Sequence, residues 1–306
     1  MKQSLWSLVA AASFSIMAAF VKLSSDQLGP FELVFYRSLF GVALMAAYIA
    51  KTHKSFATTM WQLHFTRTIL SFLSICLWFY TIGQMDFGTN MTLVYTTPLF
   101  MAAYFMILSL WRHTTPPWGL IFPTLAGFLG VTIVLQPSIK SEQLIPALWT
   151  LFSAFLDLII YLQMKKMGDT KEPSWRIVFY FTLFSTIFAA IGTLALEGGF
   201  HLPKGEALIG VIGMGAFATL GQIASTRSYA YGNLLLSSLL GFSAIPFSLI
   251  IGVALFADHI SWTSIAGVSL IVVAGLFATV STKRAEKALQ AQQAAAAQAS
   301  TTTAPH

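Results

Sequence analysis

The stretch NLLLSSLLGFSAIPFSLIIGVALFA, residues 233–257, carries no charged residue over 25 positions. A helix rises 1.5 Å per residue, so about 20 apolar residues cross the roughly 30 Å hydrocarbon core of a bilayer. Strands of a membrane barrel would instead alternate in polarity over about ten residues. The stretch therefore predicts a transmembrane helix. Nine further stretches share its character, at 5–23, 32–50, 65–84, 88–111, 117–136, 144–164, 175–196, 206–226 and 261–281.

The composition of the whole chain supports the same fold class. Of its 306 residues, 56% are hydrophobic and only 9% are charged. Water-soluble domains carry about a quarter charged residues. We therefore expect an all-α polytopic membrane protein with ten transmembrane helices and with the lipid bilayer as its surroundings.

The positive residues gather on one side of this expected bundle. With the N-terminus inside, 13 of the 17 Lys and Arg residues fall on the cytoplasmic side. Cytoplasmic loops of membrane proteins carry such an excess. Both termini are therefore expected in the cytoplasm, and the net charge of +6 indicates topology rather than a surface for nucleic acid.

The second half of the chain repeats the first at an offset that grows from 143 to 148 residues. Small loop insertions between two copies of one unit would produce this slow growth. The matching positions are Trp6 with Trp149, Lys22 with Lys165, Pro30 with Pro173, Val34-Phe35-Tyr36 with Val178-Phe179-Tyr180, Gly130 with Gly275, and Pro98 with Pro246.

Each half holds five spans, so the second copy must enter the membrane from the opposite side. We expect two inverted repeats, 1–140 and 141–284, followed by a disordered cytoplasmic tail at 285–306. The tail is rich in Ala, Gln and Thr and cannot bury a core. The copies differ where Phe14 aligns with Asp157, and where Arg37 aligns with Tyr180 or a neighbour. Substrate recognition is expected at these divergent positions.

Polar residues recur at helical spacing within two spans. Such stripes either face a solvated cavity or let helices approach closely, and Trp78, Asp157 and Tyr161 favour a cavity. We expect it to be walled by the first, third, fourth, sixth, eighth and ninth spans. The stripes are Arg67, Ser71, Ser74, Trp78 and Thr81 in one span, and Thr150, Ser153, Asp157 and Tyr161 in the other.

Asp157 is the carboxylate placed deepest in the bilayer, 13 residues after Leu144 and so about 20 Å along the helix. Three roles are open to it. It pairs with a cation such as a substrate amine, it takes up and releases a proton, or it accepts hydrogen bonds from neighbours such as Tyr161. In the third role, Asp157 is a structural link between helices. Its role would also be structural if it reached the cytoplasmic interface.

Arg37 is expected about 9 Å below the outer end of its span. It either holds a substrate carboxylate bidentately or bonds helix-terminal carbonyls or Glu32. Aromatic residues are abundant, with Phe at 26 positions. Those expected to line the cavity are Phe14, Trp78, Tyr80, Tyr95, Tyr161 and Tyr229.

Pro98 and Pro246 fall near the middle of the fourth and ninth spans. Proline removes a backbone hydrogen bond and kinks a helix, so the pair is either two hinges for alternating access or two static kinks. The single cysteine, Cys76, excludes a disulfide framework, and the six His lie in loops, at helix ends or in the tail. We expect no enzyme, metal or cofactor.

Several short motifs resemble a known family. Gly29-Pro30-Phe31-Glu32 with Arg37, Phe79-Tyr80 ahead of Asp86, and the Pro98 helix resemble the first EamA repeat of the drug/metabolite transporter superfamily. The second repeat is similar in Ser228-Tyr229-Ala230-Tyr231-Gly232-Asn233, Pro246-Phe247 and the segment 262–275. The resemblance covers residues 5–282 and implies ten helices, a central cavity and the export or exchange of small metabolites, often amino acids.

We therefore expect a secondary transporter of the bacterial inner membrane that exports an amino acid or related amphipathic compound, with protons as a candidate coupling ion and a monomer or weak homodimer as its state. Alternatives are an exchanger or uptake carrier for a cationic drug, a nucleotide-like or an S-adenosylmethionine-like compound, and a non-transporting scaffold or an enzyme acting within the bilayer. A transporter needs the polar stripes to converge on one solvated cavity. A scaffold would bury them in dry helix contacts.

Overall fold

The computed structural model describes residues 2–24, 27–82, 84, 87–136, 141–256 and 261–302. Asp86 lies outside these residues, as do the side chains of Lys22 and Phe79. The described chain folds as helices without a β-strand. The helices are α1 (Trp6–Ser24), α2 (Pro30–Thr52), α3 (Trp61–Ile82), α4 (Phe87–Val94), α5 (Thr97–Trp111), α6 (Trp118–Leu135), α7 (Leu144–Asp169), α8 (Ser174–Leu196), α9 (Glu206–Tyr231), α10 (Leu234–Gly241), α11 (Ala244–Phe256) and α12 (Trp262–Thr302).

These twelve helices form the ten predicted spans, because α4 with α5 and α10 with α11 each make one interrupted span. Across the described residues, eight helices are long and apolar enough to cross a membrane, with each interrupted pair counted once. The other two spans are α1 and α3, which pack inside the bundle on α9 and α7. The predicted all-α membrane fold is confirmed.

Both interruptions lie just ahead of the repeated prolines. α5 begins at Thr97, one residue before Pro98, and α11 begins two residues before Pro246. Proline cannot donate to the preceding turn, and its ring clashes there. Neighbouring hydroxyls add hydrogen bonds at both breaks: Thr96 Oγ1 donates to Leu93 O at 2.6 Å, and Ser243 Oγ donates to Leu240 O at 2.7 Å, although both carbonyls also accept from a backbone N–H. The two breaks therefore have the same local chemistry.

Several helix contacts are repeated when the two halves are exchanged. α1 packs on α9 as its counterpart α7 packs on α3, and α6 packs on its own counterpart α12. α2 and α8, the second helix of each half, pack on one another. Because α1 starts at the opposite face of the bundle from α7, the two repeats are inverted.

The first clasp, formed by Phe35, Tyr36, Phe200 and His201, joins α2 to the loop after α8. Tyr36 Oη donates to the carbonyl oxygen of His201 at 2.7 Å, and the rings of Phe35 and Phe200 lie 4.6 Å apart. Glu32, in the first turn of α2, accepts hydrogen bonds from the His201 backbone and ring. The clasp therefore fixes one face of the bundle across the boundary between the repeats.

The second clasp, formed by Ser55, Phe56, Arg176, Phe179 and Tyr180, joins α8 to the loop after α2. Tyr180 Oη donates to the carbonyl oxygen of Phe56 at 3.0 Å, and the rings of Phe179 and Phe56 lie 5.0 Å apart. Arg176 Nη2 donates to Ser55 O at 3.1 Å. Each ring lies 144 positions from its counterpart in the first clasp. The clasps are thus two copies of one contact at opposite faces.

α6 and α12 touch backbone to backbone at Gly130. A Cβ atom on Gly130 would lie 2.6 Å from the carbonyl oxygen of Gly267, and a Cβ on Gly267 would meet Gly130 in the same way. Small residues permit such close approach between membrane helices. Gly130 therefore contacts Gly267 rather than Gly275, the residue that matches it in the repeat.

The chain after residue 284 continues the last helix of the bundle. α12 continues as helix to Thr302, well beyond the length of a membrane span. Ala and Gln are strong helix formers, so the segment extends a helix already nucleated in the bilayer even without a core to bury.

Glu172 organises the face of the bundle that carries the second clasp. Its Oε1 accepts from Thr58 Oγ1 at 2.9 Å and lies 3.0 Å from His64 Nε2, while its Oε2 accepts from Arg176 Nη1 at 3.2 Å. The side chain of His64 is fully buried, and that of Glu172 is 8% exposed. The carboxylate therefore links the loop after α2 with α3 and α8.

Replacing Glu172 with alanine should destabilise the fold. Glu172→Ala leaves the buried His64 and the half-buried Arg176 without their acceptor, and breaking a buried pair typically costs about 3 kcal/mol. We expect a clearly lower melting temperature of the purified protein in detergent. Asp169→Ala is the control, because its pair with Lys165 at 2.9 Å is exposed and worth about 0.5 kcal/mol or less. Equal melting temperatures for the two variants would contradict the role of Glu172.

Candidate functional site

A cavity with two lobes lies between the repeats. The smaller lobe has a volume of about 200 Å³ and the larger of about 350 Å³. All six spans expected to wall the cavity contribute to it, together with α2 and α8. The residues common to both lobes are Phe14, Val94, Tyr95, Asp157, Tyr161 and Ser225.

The larger lobe is lined by the middle of both polar stripes. Ser71, Ser74 and Trp78 of α3 meet Ser153 and Asp157 of α7 there. The stripes converge on this lobe, as a transporter requires.

The stripe members Thr81 and Thr150 do not border the larger lobe and make hydrogen bonds between helices instead. Asn90 Nδ2 donates to Thr81 Oγ1 at 2.9 Å and lies 3.3 Å from Thr150 Oγ1. These bonds join α3, α4 and α7 outside the larger lobe.

The smaller lobe has mostly small and aromatic walls. Tyr161 and Tyr229 stack with ring centroids 3.7 Å apart and planes at 4°. Pro98 and Gly241, which flank the two helix interruptions, also border this lobe. Its remaining walls come from α1 and the interrupted spans, namely Ser7, Ala10, Ala11, Thr97, Ser238 and Ala244.

Asp157 is half-buried at the junction of the lobes. Its Oδ1 accepts a hydrogen bond from Ser74 Oγ at 2.9 Å, and Ser74 Oγ lies 3.0 Å from Ser153 Oγ. No basic side chain of the described chain lies within ion-pair distance of this carboxylate. Asp157 therefore links α3 to α7 and still faces the space where a cation could bind.

Arg37 is half-buried and borders the larger lobe. The alternative pairing with Glu32 does not occur, because that carboxylate accepts from Gly29 N at 3.3 Å and lies 3.0 Å from His201 Nδ1. Among the described residues, Arg37 has no hydrogen-bond or ion-pair partner. Its charge is left for a group inside the cavity.

Arg67 is the residue that sequence reasoning undervalued. It is one of the 13 Lys and Arg residues expected on the cytoplasmic side, yet it is 1% exposed and borders the larger lobe. Its guanidinium carbon lies 4.4 Å from the centroid of the Phe181 ring. The signal that could have identified it is its place in the polar stripe, one turn before Ser71.

Tyr80 does not belong to the cavity. It is 56% exposed and borders neither lobe, whereas Trp78 lines the larger one. Residues two apart on a helix point about 200° apart, so Trp78 and Tyr80 cannot both face the same space. Pro246 also lies outside both lobes, so only Pro98 of the proline pair reaches the cavity.

Metal chemistry has no obvious place in the described residues. Within them, no three His, Cys, Asp or Glu side chains lie close enough to hold a metal ion. The cavity offers two guanidinium groups, one carboxylate, hydroxyls and aromatic rings. Among the described residues, the cavity thus presents both positive and negative groups beside aromatic rings.

Ten spans in two inverted repeats, with a polar cavity between them, define a polytopic membrane carrier. Residues 1–136 match the family model described as the EamA-like transporter family. A solved crystal structure with 17% sequence identity has the same fold, with a TM-score of 0.81 over 93% of this chain and 99% of the other. The first 136 residues are thus similar to the EamA-like transporter family, and relatives that align with most of the chain are named as transporters.

Relatives over nearly the full length differ in what they carry. The riboflavin transporter of Vibrio cholerae is 26% identical and covers 90% of this chain and 92% of its own. The pseudopaline exporter CntI of Pseudomonas aeruginosa is 23% identical over 88% and 93% of the two chains. The S-adenosylmethionine uptake transporter of Rickettsia felis is 23% identical over 92% and 93%. A shared fold thus serves different substrates.

Water should reach the larger lobe. In a Cys76→Ser background, which removes the only cysteine of the chain, Ser71→Cys should react readily with a charged, membrane-impermeant thiol reagent. Ser185→Cys is the control, because Ser185 is 1% exposed and borders neither lobe. Mass spectrometry of the labelled protein measures both rates. Equally slow labelling would indicate dry helix contacts, as in a scaffold.

Proposed function

We propose that this chain exports an amino acid or a related amphipathic metabolite through the cavity by alternating access. The observation that carries the proposal is the pair of opposite charges in the larger lobe. Asp157 and Arg37 both border it, and in the described structure neither has an oppositely charged partner. An ammonium and a carboxylate on one small molecule would complement the two.

The energetics favour a charged occupant. A charge removed from water is costly unless an opposite charge or several hydrogen bonds replace the water. Asp157 has Ser74 as a donor, and Arg37 has no protein acceptor in the described chain. A zwitterion would complete both sites at once, whereas a neutral molecule would leave both charges uncompensated.

The size of the site fits a small molecule. Ligand pockets in proteins typically measure about 300–1,000 Å³, and the larger lobe has about 350 Å³ with the smaller one beside it. Phe14, Tyr95 and Tyr161 stand at the junction, where they can contact an apolar side chain. The charged ends would therefore lie in the larger lobe and the apolar part against the aromatic rings.

The direction of transport is the less constrained part of the proposal. The excess of Lys and Arg on one side supports a topology with both termini in the cytoplasm. Relatives include both an exporter and an uptake carrier, so the fold permits either direction. Export is proposed here with Asp157 as the site that exchanges a proton for the substrate ammonium, because both bind the same carboxylate.

Counterflow into proteoliposomes tests this function. Liposomes loaded with an unlabelled amino acid should accumulate the labelled one from outside, and analogues without the amino or carboxylate group should fail to compete. Inactivity across a broad panel of amino acids and related metabolites, with folded protein, would refute the proposal.

Asp157→Asn should weaken binding of the ammonium-bearing substrate by roughly tenfold or more, since a charge-assisted hydrogen bond is lost. The dependence of transport on pH should flatten in the same variant. Asp169→Asn, exposed at the end of α7, should behave as wild type. Full transport by Asp157→Asn without change in pH dependence would remove Asp157 from coupling.

We further propose that the interruptions at 95–96 and 242–243 are the hinges of alternating access. Pro98→Ala and Pro246→Ala restore a backbone donor and should stiffen each span. The maximal counterflow rate should fall several-fold while the affinity for substrate in detergent stays constant. Pro123→Ala is the control, because Pro123 lies inside the continuous helix α6. Unchanged rates in both hinge variants would make the breaks static.

A further inference from the structure

The guanidinium of Arg67 has N–H groups without an acceptor among the described residues, although it is buried where an uncompensated charge is costly. Its side chain is 1% exposed, and neither Nε nor Nη1 donates a hydrogen bond to any described residue. The ring of Phe181 below the guanidinium offers a cation–π contact but no acceptor for these N–H groups. Buried polar groups in proteins are nearly always bonded, so this exception requires an explanation.

A second arginine of the same protein shows what a structural role looks like. Arg176 is held by Glu172, with Nη1 and Oε2 3.2 Å apart, and its Nη2 donates to the carbonyl oxygen of Ser55 at 3.1 Å. These bonds join the loop after α2 to α8. Arg67 joins no element through a hydrogen bond in the described chain, so it is not explained as a link between helices.

The larger lobe therefore has more positive than negative charge. Arg37 and Arg67 both border it, and Asp157 is its one carboxylate among the described residues. No ion pair within 4.0 Å joins either arginine to Asp157 in the described structure. With Asp157 ionised, one positive charge remains after a simple zwitterion has bound.

We propose that the substrate carries a second oxyanion, a carboxylate or phosphate, and that Arg67 binds it. This inference rests on the proposed function of the same cavity and narrows its substrate class to amino acids with an acidic side chain. The planar guanidinium presents its N–H groups in a fork that matches two oxygens of such a group. Ser71, one turn further along α3, borders the same lobe and supplies a hydroxyl donor.

Matched ligands separate this substrate class from amino acids in general. Glutamate and glutamine have nearly the same shape and differ in the side-chain charge, and O-phosphoserine tests phosphate as the oxyanion. The full chain in detergent should be stabilised by glutamate or O-phosphoserine at a concentration roughly tenfold or more below that of glutamine, because an additional charge-assisted pair forms. Thermal unfolding at increasing ligand concentration gives each affinity.

Variants at position 67 should remove this preference. Arg67→Gln should bind glutamate and glutamine alike, and Arg67→Lys should keep part of the preference because it keeps the charge without the fork. Arg112→Gln is the control, since Arg112 is exposed at the end of α5. Arg67→Met without ligand should melt at a higher temperature than wild type, because an uncompensated buried charge has been removed.

Three results would overturn the assignment of Arg67. They are equal affinity of the wild type for acidic and neutral ligands, a preference that persists in Arg67→Gln, and a lower melting temperature of unliganded Arg67→Met. Counterflow separates this failure from failure of the transport proposal. Counterflow of glutamine with no preference for glutamate would leave transport intact and reject the oxyanion site, whereas glutamate binding that depends on Arg67 without any counterflow would do the reverse.

Discussion

No water is available in the hydrocarbon core of a membrane, so each backbone N–H and C=O must find its partner within the protein. This constraint allows helices and penalises any place where a helix breaks. At the two breaks, the carbonyls of Leu93 and Leu240 accept from backbone N–H groups and also from the hydroxyls of Thr96 and Ser243. The cavity lies beside the breaks, where the bundle departs from continuous helices. Its position is therefore a consequence of how the backbone is satisfied.

The charges of the cavity follow a second rule, that burial needs compensation. Glu172 meets it with three partners from different elements, and Glu32 meets it with its own helix terminus and His201. Arg37 and Arg67 do not meet it with any described protein group. The charged residues are therefore of two kinds. Glu172 and Glu32 hold helices and loops together, whereas Arg37 and Arg67 line the cavity.

The helices and their breaks could be read from the sequence because hydrophobic length and proline act locally. Trp78 and Tyr80 show where this local reading fails. Both are aromatic and close in sequence, but helix geometry sends only Trp78 to the larger lobe. Arg67 shows the same limit, since neither its positive charge nor its place in the polar stripe reveals from sequence whether it is exposed. Only the packing of α3 on α7 and α8 shows that it is enclosed.

The two halves differ at residues that line the cavity. Phe14 and Asp157, aligned 143 positions apart, both stand at the junction of the lobes, so the divergence of these counterparts falls within the cavity. The clasps pair Tyr36 with Tyr180, which makes Phe181 rather than Tyr180 the counterpart of Arg37. Phe181 is also the ring beneath Arg67. Phe181 of the second repeat thus makes a cation–π contact with Arg67 of the first repeat.

The two clasps have an energetic consequence. Each consists of one tyrosine hydroxyl bonded to a loop carbonyl and one contact between phenylalanine rings, so opening either clasp disrupts contacts of the same kind. A carrier works in cycles only if its two open states are close in free energy, because a large difference would trap it in one of them. Because the two clasps are copies of one contact, internal repetition brings the free energies of the two open states close together. The repeats still differ at the clasps, where Glu32 of the first is matched by Arg176 of the second.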